Sequence, residues 1–177
     1  MVAMAIVLIY PAEGWAATIG SDLRGTPTAG SGYGCGGGPC TTLQVSLSGD
    51  RKTRAPFSGV IRKWRFRTTF SAGAAYELRL SVVRKAAPGR WKFIRTSRPR
   101  EVGTAAGTYV FPAHLRIKRG DFIGLDLPAG MTYEFLLDQA DDRGKSWFPT
   151  PPDGLLTAPT YDEPGYERLY NATIRHR

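Results

Sequence analysis

Apolar and polar residues alternate along much of the chain with a period of two, the spacing that turns one face of a strand toward a core and the other toward water. Leu43, Val45 and Leu47 share one face, with Gln44 and Ser46 between them. The longest run covers 57–70. There Val60, Trp64, Phe66 and Phe70 fall at even positions, and Lys63, Arg65, Arg67 and Thr69 at odd ones. Arg62 breaks this register and is expected to point inward. Tyr76, Leu78, Leu80 and Val82 alternate with Glu77, Arg79 and Ser81, and the turn pair Pro88-Gly89 precedes a shorter strand beginning at Trp91 and Phe93. Tyr109 to Phe111 continues past Pro112, which a strand accepts at an edge or bulge, to Leu115 and Ile117. Phe122 to Leu127, then Met131, Tyr133, Phe135 and Leu137, and finally Leu169 to Ile174 complete the set. Eight or nine short strands punctuated by turns, with no helical periodicity, predict an all-β antiparallel β-sandwich or barrel. The polar, Pro-rich stretch 138–167 reads as a long excursion between the last two strands. The segment 17–41 reads as an extended N-terminal arm.

Size and composition sharpen this picture. With 177 residues, 42% of them apolar, the chain suffices for one domain over 17–177 and for little more. Met1 to Tyr10 is an uncharged apolar run too short to span a bilayer as a helix, and it leads to small residues ending at Gly14-Trp15-Ala16-Ala17. This reads as a secretory signal over 1–16, cut after Ala16, although no Lys or Arg precedes the run. The alternative is a buried first strand. An exported chain whose two cysteines lie as close as Cys35 and Cys40 is expected to join them in a disulfide, closing a glycine loop. By chain entropy such a loop contributes about 2 kcal/mol, so the bridge is expected to act as a local clamp.

Chemistry is harder to find. Only two histidines are present, His114 and His176, and neither sits in a nucleophile or metal motif. Asp121, Asp126, Glu134 and Asp138 lie on or beside strands, and Asp162 and Glu163 in the polar stretch. Two facing carboxylates among these would suffice for a minimal glycoside hydrolase. Asp138, Asp141 and Asp142 could hold a structural calcium, against the simpler reading of a solvated loop balanced by Arg143 and Lys145. No other cofactor is implied.

Charge and aromatics supply the binding candidates. Lys and Arg total 24 against 15 Asp and Glu, for a net charge of +9, with Arg outnumbering Lys 18 to 6. If strand 57–70 pairs with 75–85, Lys63, Arg65, Arg67 and Arg79 form one basic stripe suited to anionic polymers. A GC-rich genome alone could produce the same arginine excess. Export and the lack of a recognition motif argue against a nucleic-acid partner. Trp147, Tyr161 and Tyr166 are candidate stacking platforms for sugar rings, or caps folded back on the end of the sandwich.

Ile19-Gly20-Ser21-Asp22-Leu23, the glycine-rich cysteine pair, Val60 to Arg65, Leu115 to Leu125 and Leu169-Tyr170-Asn171-Ala172 together resemble an uncharacterised group of small exported β-sandwich proteins of high-GC Gram-positive bacteria. That resemblance implies a jelly-roll-like sandwich akin to carbohydrate-binding modules, and it transfers no catalytic residue. The expectation is a secreted or cell-wall-associated, non-catalytic binding module for cell-wall or extracellular polysaccharide, without a transmembrane segment in the mature chain. The alternatives are a structural or interaction protein of the envelope and the glycoside hydrolase.

Overall fold

A computed structural model describes residues 15–27, 33–69 and 73–176, with the side chains of Tyr33 and Asp138 left out. The body of the expected signal, 1–14, and the strand position Phe70 lie outside the described residues. Fourteen strands occur among those described. In chain order the first seven are β1 (Ala16–Gly20), β2 (Tyr33–Gly34), β3 (Cys40–Ser46), β4 (Gly59–Thr68), β5 (Tyr76–Ala87), β6 (Arg90–Thr96) and β7 (Arg100–Val102). The rest are β8 (Gly107–Ile117), β9 (Phe122–Leu127), β10 (Thr132–Tyr133), β11 (Phe135–Trp147), β12 (Leu156–Thr157), β13 (Tyr161–Arg168) and β14 (Tyr170–His176). The count exceeds eight or nine for two reasons. Four of the strands have only two or three residues, and the expected excursion 138–167 instead folds into β11, β12 and β13.

The strands form an antiparallel β-sandwich. A short sheet has the order β1-β14-β4-β8, and a long one the order β12-β6-β5-β9-β3-β11-β13, with β7 also on β5; β10 and β2 make a separate ribbon. The main core lies between the sheets. Ile61, Trp64, Phe66, Ala172 and Ile174 of the short sheet meet Leu78, Leu80, Val82, Ile123 and Leu125 of the long one. No helix of the described residues is long and apolar enough to cross a membrane.

The alternation predicts which residues face this core in β4 and β5, with one exception. Arg62 is exposed, because the β4–β8 register slips between Ile61 and Lys63. Such a bulge inserts one residue and turns it outward, so Arg62 reaches His114 Nδ1 at 3.0 Å instead of entering the core.

The long sheet is buried on both faces. On its far side Leu43, Val83, Trp91, Phe93, Phe122 and Trp147 form a second cluster. Trp91 of β6 and Trp147 of β11 are separated by β5, β9 and β3, which in a flat sheet would hold them about 19 Å apart. Their rings lie 6.2 Å apart, edge to face. The sheet therefore curls, and the segment between β11 and β12 bridges the gap, with Thr150 N bonded to Pro39 O and Gly154 N to Phe93 O. Burial of both faces explains why β3 does not alternate: Gln44 is as buried as Leu43.

Cys35 and Cys40 form the expected disulfide, with Cα atoms 5.4 Å apart. Both half-cystines are buried in the main core, so the bridge packs against the sandwich as well as closing the glycine loop.

One side chain joins the sheets by hydrogen bonds across the core. The Tyr170 hydroxyl, on the short sheet, accepts from Gln44 N of the long sheet at 3.1 Å. It lies within donating distance of Thr42 O (3.2 Å) and Ile123 O (3.1 Å). Burial pushes the Tyr170 phenol well above its usual pKa, so it stays a neutral donor. Tyr170→Phe leaves the buried Gln44 N–H without that acceptor, and such a loss costs about 1–3 kcal/mol. Urea unfolding of the two proteins should show that decrease with little change in m-value; equal midpoints would remove Tyr170 from this role.

Candidate functional site

The hairpin β11–β13 forms one margin of the long sheet. Pro164 has no N–H to give to a neighbour, which suits an edge strand. The pairing slips twice, between Leu136 and Gln139 and between Gln139 and Arg143, and Gly165, opposite Gln139, takes φ +81°. A side chain is strained in that conformation. Residues after the irregularity are re-aimed, and Tyr166 comes to rest against Phe135, ring centroids 4.8 Å apart and near perpendicular.

A groove of about 280 Å³ opens here, lined by Tyr133, Phe135, Tyr161, Asp162, Tyr166 and Arg168 among others. Tyr133 and Phe135 are buried and form its floor, while Tyr161 is 52% exposed. Phe148 meets the Tyr161 ring edge-on at 5.5 Å, steadying it. Asp162 is exposed and paired with Lys145 at 2.9 Å. The volume falls just under the roughly 300–1,000 Å³ of pockets for drug-sized ligands, which is room for one ring. An exposed phenol ring beside a carboxylate and a lysine offers stacking to an apolar ring face and hydrogen bonds to hydroxyls.

Beneath the groove the polar residues are tied to one another. Arg168 is 2% exposed, bonds Glu163 and Thr42, and crosses Gly144 so closely that a Cβ there would occupy the guanidinium. Glu163 also accepts from Ser146 Oγ at 2.8 Å.

The remaining sequence candidates disperse. Trp147 is 2% exposed, packed edge-on against Trp91 and Phe93, and offers no platform to solvent. The basic stripe is divided: Lys63, Arg65 and Arg67 lie on β4 of the short sheet, and Arg79 on β5 of the long sheet, because β4 and β5 do not pair. Arg65 bonds Asn171 and Thr173, and Arg67 donates to Leu23 O and Gly25 O, holding the N-terminal arm. Of the calcium candidates, Asp141 is exposed, whereas Asp142 is wholly buried, accepting from Ser48 N and lying 3.9 Å from Arg51. The side chain of Asp138 lies outside the described residues. Arg51 also bonds Glu167 at 2.5 Å; burial works against its charge, but Glu167, Asp142 and Asp22 outweigh it and raise its pKa.

The strand carboxylates sit in separate places. Asp121 grips Arg84 through both oxygens, at 2.7 and 2.9 Å, and Glu134 accepts from the Thr69 N–H and hydroxyl. Asp126 is buried beside the aromatic cluster, accepting from Thr41 Oγ1 (2.8 Å) and Ser81 Oγ (2.6 Å). Ser81 Oγ is 3.1 Å from Thr96 Oγ1, which bonds Asp153 Oδ1 at 2.8 Å. Each hydroxyl has one proton. If both carboxylates are ionised, each hydroxyl donates to its own carboxylate and the Ser81–Thr96 contact holds no proton. A proton on Asp126 lets every link donate in one direction. Burial, the leading cause, and the charge of Asp153 push Asp126 up to about 6, against the hydrogen bonds from Ser81 and Thr41 and the charge of Arg79.

No protein-family model, curated protein or solved structure matches the chain.

The Asp126 shift has a stability consequence of definite sign. Between about pH 4 and pH 6 the folded chain holds a proton that the unfolded chain has lost, so stability falls as pH rises through that window. A carboxyl raised from 3.8 to about 6 gives up about 3 kcal/mol by pH 7 at most. Asp126→Asn has no proton to lose there. Melting curves from pH 4 to 7 should show the variant gaining on the wild type as pH rises, and a constant difference would refute the assignment.

Proposed function

We propose that the chain is a non-catalytic binding module for an extracellular or cell-wall polysaccharide, acting after export. The observation that carries this reading is the groove at β11–β13, where exposed Tyr161 and half-buried Tyr166 flank a space the size of one ring beside Asp162 and Lys145. Trp15, the other strongly exposed aromatic of the described residues, would leave with a signal cut after Ala16. Rigid aromatic side chains supply contact area at small entropic cost, and sugar rings present apolar C–H faces to them. The resemblance to exported β-sandwich proteins fits the same reading. A second reading, an envelope interaction protein without a small ligand, draws on Leu155 and Leu156, adjacent and each 43% exposed.

Co-sedimentation with insoluble neutral polysaccharides and cell-wall preparations tests the proposal. Binding at physiological salt is expected, with Tyr161→Ala and Tyr166→Ala each weakening it roughly threefold to tenfold, the ~0.5–1.5 kcal/mol scale of an aromatic pair. Val110→Ala, which removes an exposed apolar side chain of β8 in the other sheet, should leave it unchanged. Retention of full binding by both tyrosine variants, or no binding to any polymer, overturns the reading.

A further inference from the structure

The two sheets come apart along one side, where β8 ends the short sheet and β6 and β7 line the neighbouring margin of the long one. Two clefts run along this seam. One, of about 590 Å³, is lined by Arg84, Arg95, Arg116 and Lys118 among others; the second, of about 520 Å³, by Thr96, Arg98, Arg100 and His114 among others. They abut end to end, since Arg95 and Thr96, and likewise Leu115 and Arg116, are consecutive residues on opposite walls. From Pro112 to Lys118 the wall extends about 20 Å at strand spacing.

The seam's charge is unbalanced. Among the lining residues of both clefts Asp121 is the one carboxylate, and its two oxygens are taken by Arg84 and by the Lys118 N–H. Asp121 raises the pKa of Arg84 and neutralises it. Arg95, Arg98, Arg100, Arg116 and Lys118 have no ion-pair partner among the described residues. Arg100 makes one hydrogen bond across the seam, to Pro112 O at 3.2 Å. The Arg95 Nε is sealed from solvent without an acceptor among the described residues. Asp153, held on Thr96, is the nearest further carboxylate the hydrogen bonds identify.

Five uncompensated cations in a groove about 20 Å long concentrate anions far more than the same charges scattered over a surface. Guanidinium forks match tetrahedral oxyanions with paired hydrogen bonds. The lining holds no Phe, Tyr or Trp, so it lacks the stacking platforms on which single-stranded nucleic acids and neutral sugars depend. We infer that the seam between β8 and β6–β7 is a second binding site, for a linear non-nucleic polyanion carrying repeated phosphate or sulfate groups. It is separate from the tyrosine groove and stands or falls independently of it.

The test uses two probes, inorganic polyphosphate and a linear sulfated oligosaccharide, titrated into the full chain over a salt series. At least one should bind at low salt, with log K falling linearly against log salt; whichever binds more tightly identifies the anionic group. Arg116→Glu/Lys118→Glu, both exposed and able to change without disturbing the core, should weaken binding at least tenfold and flatten the salt slope. Arg24→Glu/Arg143→Glu, an equal charge change on exposed residues elsewhere, should weaken it less than twofold. Equal loss in both variants would mean bulk charge and not the seam. Failure of both probes to bind, or tighter binding of a single-stranded oligonucleotide than of either, also overturns the inference.

Discussion

The Tyr170 hydroxyl reaches from the short sheet to β3 and β9 of the long sheet, and the buried polar groups Thr42, Gln44, Arg168 and Glu163 are linked to that crossing. A sandwich held by apolar contact alone can slide, because apolar contact has no direction. Hydrogen bonds to Gln44 N, Thr42 O and Ile123 O fix one sheet against the other at a single register. The Gln44 side chain then extends the lock: its amide donates to Ser46 O and Tyr166 O, and its carbonyl accepts from Arg168 N. Each partner is buried or partly so, and leaving any of them unmet is costly.

This network determines where the tyrosine groove forms. Gln44 holds the Tyr166 backbone, and Arg168 crosses Gly144 to Glu163, so β13 is anchored from within although it is an edge strand. The rings of Tyr161 and Tyr166 therefore stand on a hairpin whose buried side is polar and specific. The tyrosine groove depends on the same interior lock that holds the sheets in register.

Much of this was legible in the sequence, and the failures share physical causes. Alternation in 57–70 and 75–85 locates the core faces of β4 and β5, because their core-facing positions are apolar and the positions between them mostly polar. It said nothing about which strands pair. The chain passes from the short sheet to the long one between β4 and β5, which separates Arg79 from Lys63, Arg65 and Arg67. Alternation also fails where both faces are buried, as at Gln44, and at a bulge, as at Arg62. The stretch 138–167 reads as a loop because most of its inward side chains are polar: Asp142, Ser146, Glu163 and Glu167, against Trp147. Polarity marks solvent only when the polar groups lack partners, and these have them: Ser48 N for Asp142, Glu163 for Ser146, and Ser21 and Arg51 for Glu167. Trp147 packs inward and not outward as a platform, because a polar neighbourhood in sequence conceals an aromatic one in space.

Curling the long sheet has a further consequence. With the aromatic cluster filling its concave side and the main core its convex side, neither broad face of that sheet is left for a ligand. For the long sheet, among the described residues, surface is left where strands end or sheets part: at the β13 edge and along the seam beside β8. The two places differ in chemistry because they differ in neighbours. At the edge, aromatic residues of β11 and β13 continue outward from the buried floor of Tyr133 and Phe135. Along the seam, Arg95, Arg98, Arg100, Arg116 and Lys118 have no ion-pair partner among the described residues, while Arg84 of β5 is paired with Asp121. A net charge of +9 would be unremarkable if it were evenly spread. Five of those cations gathered in one groove give it a location, and location separates a recognition surface from a composition.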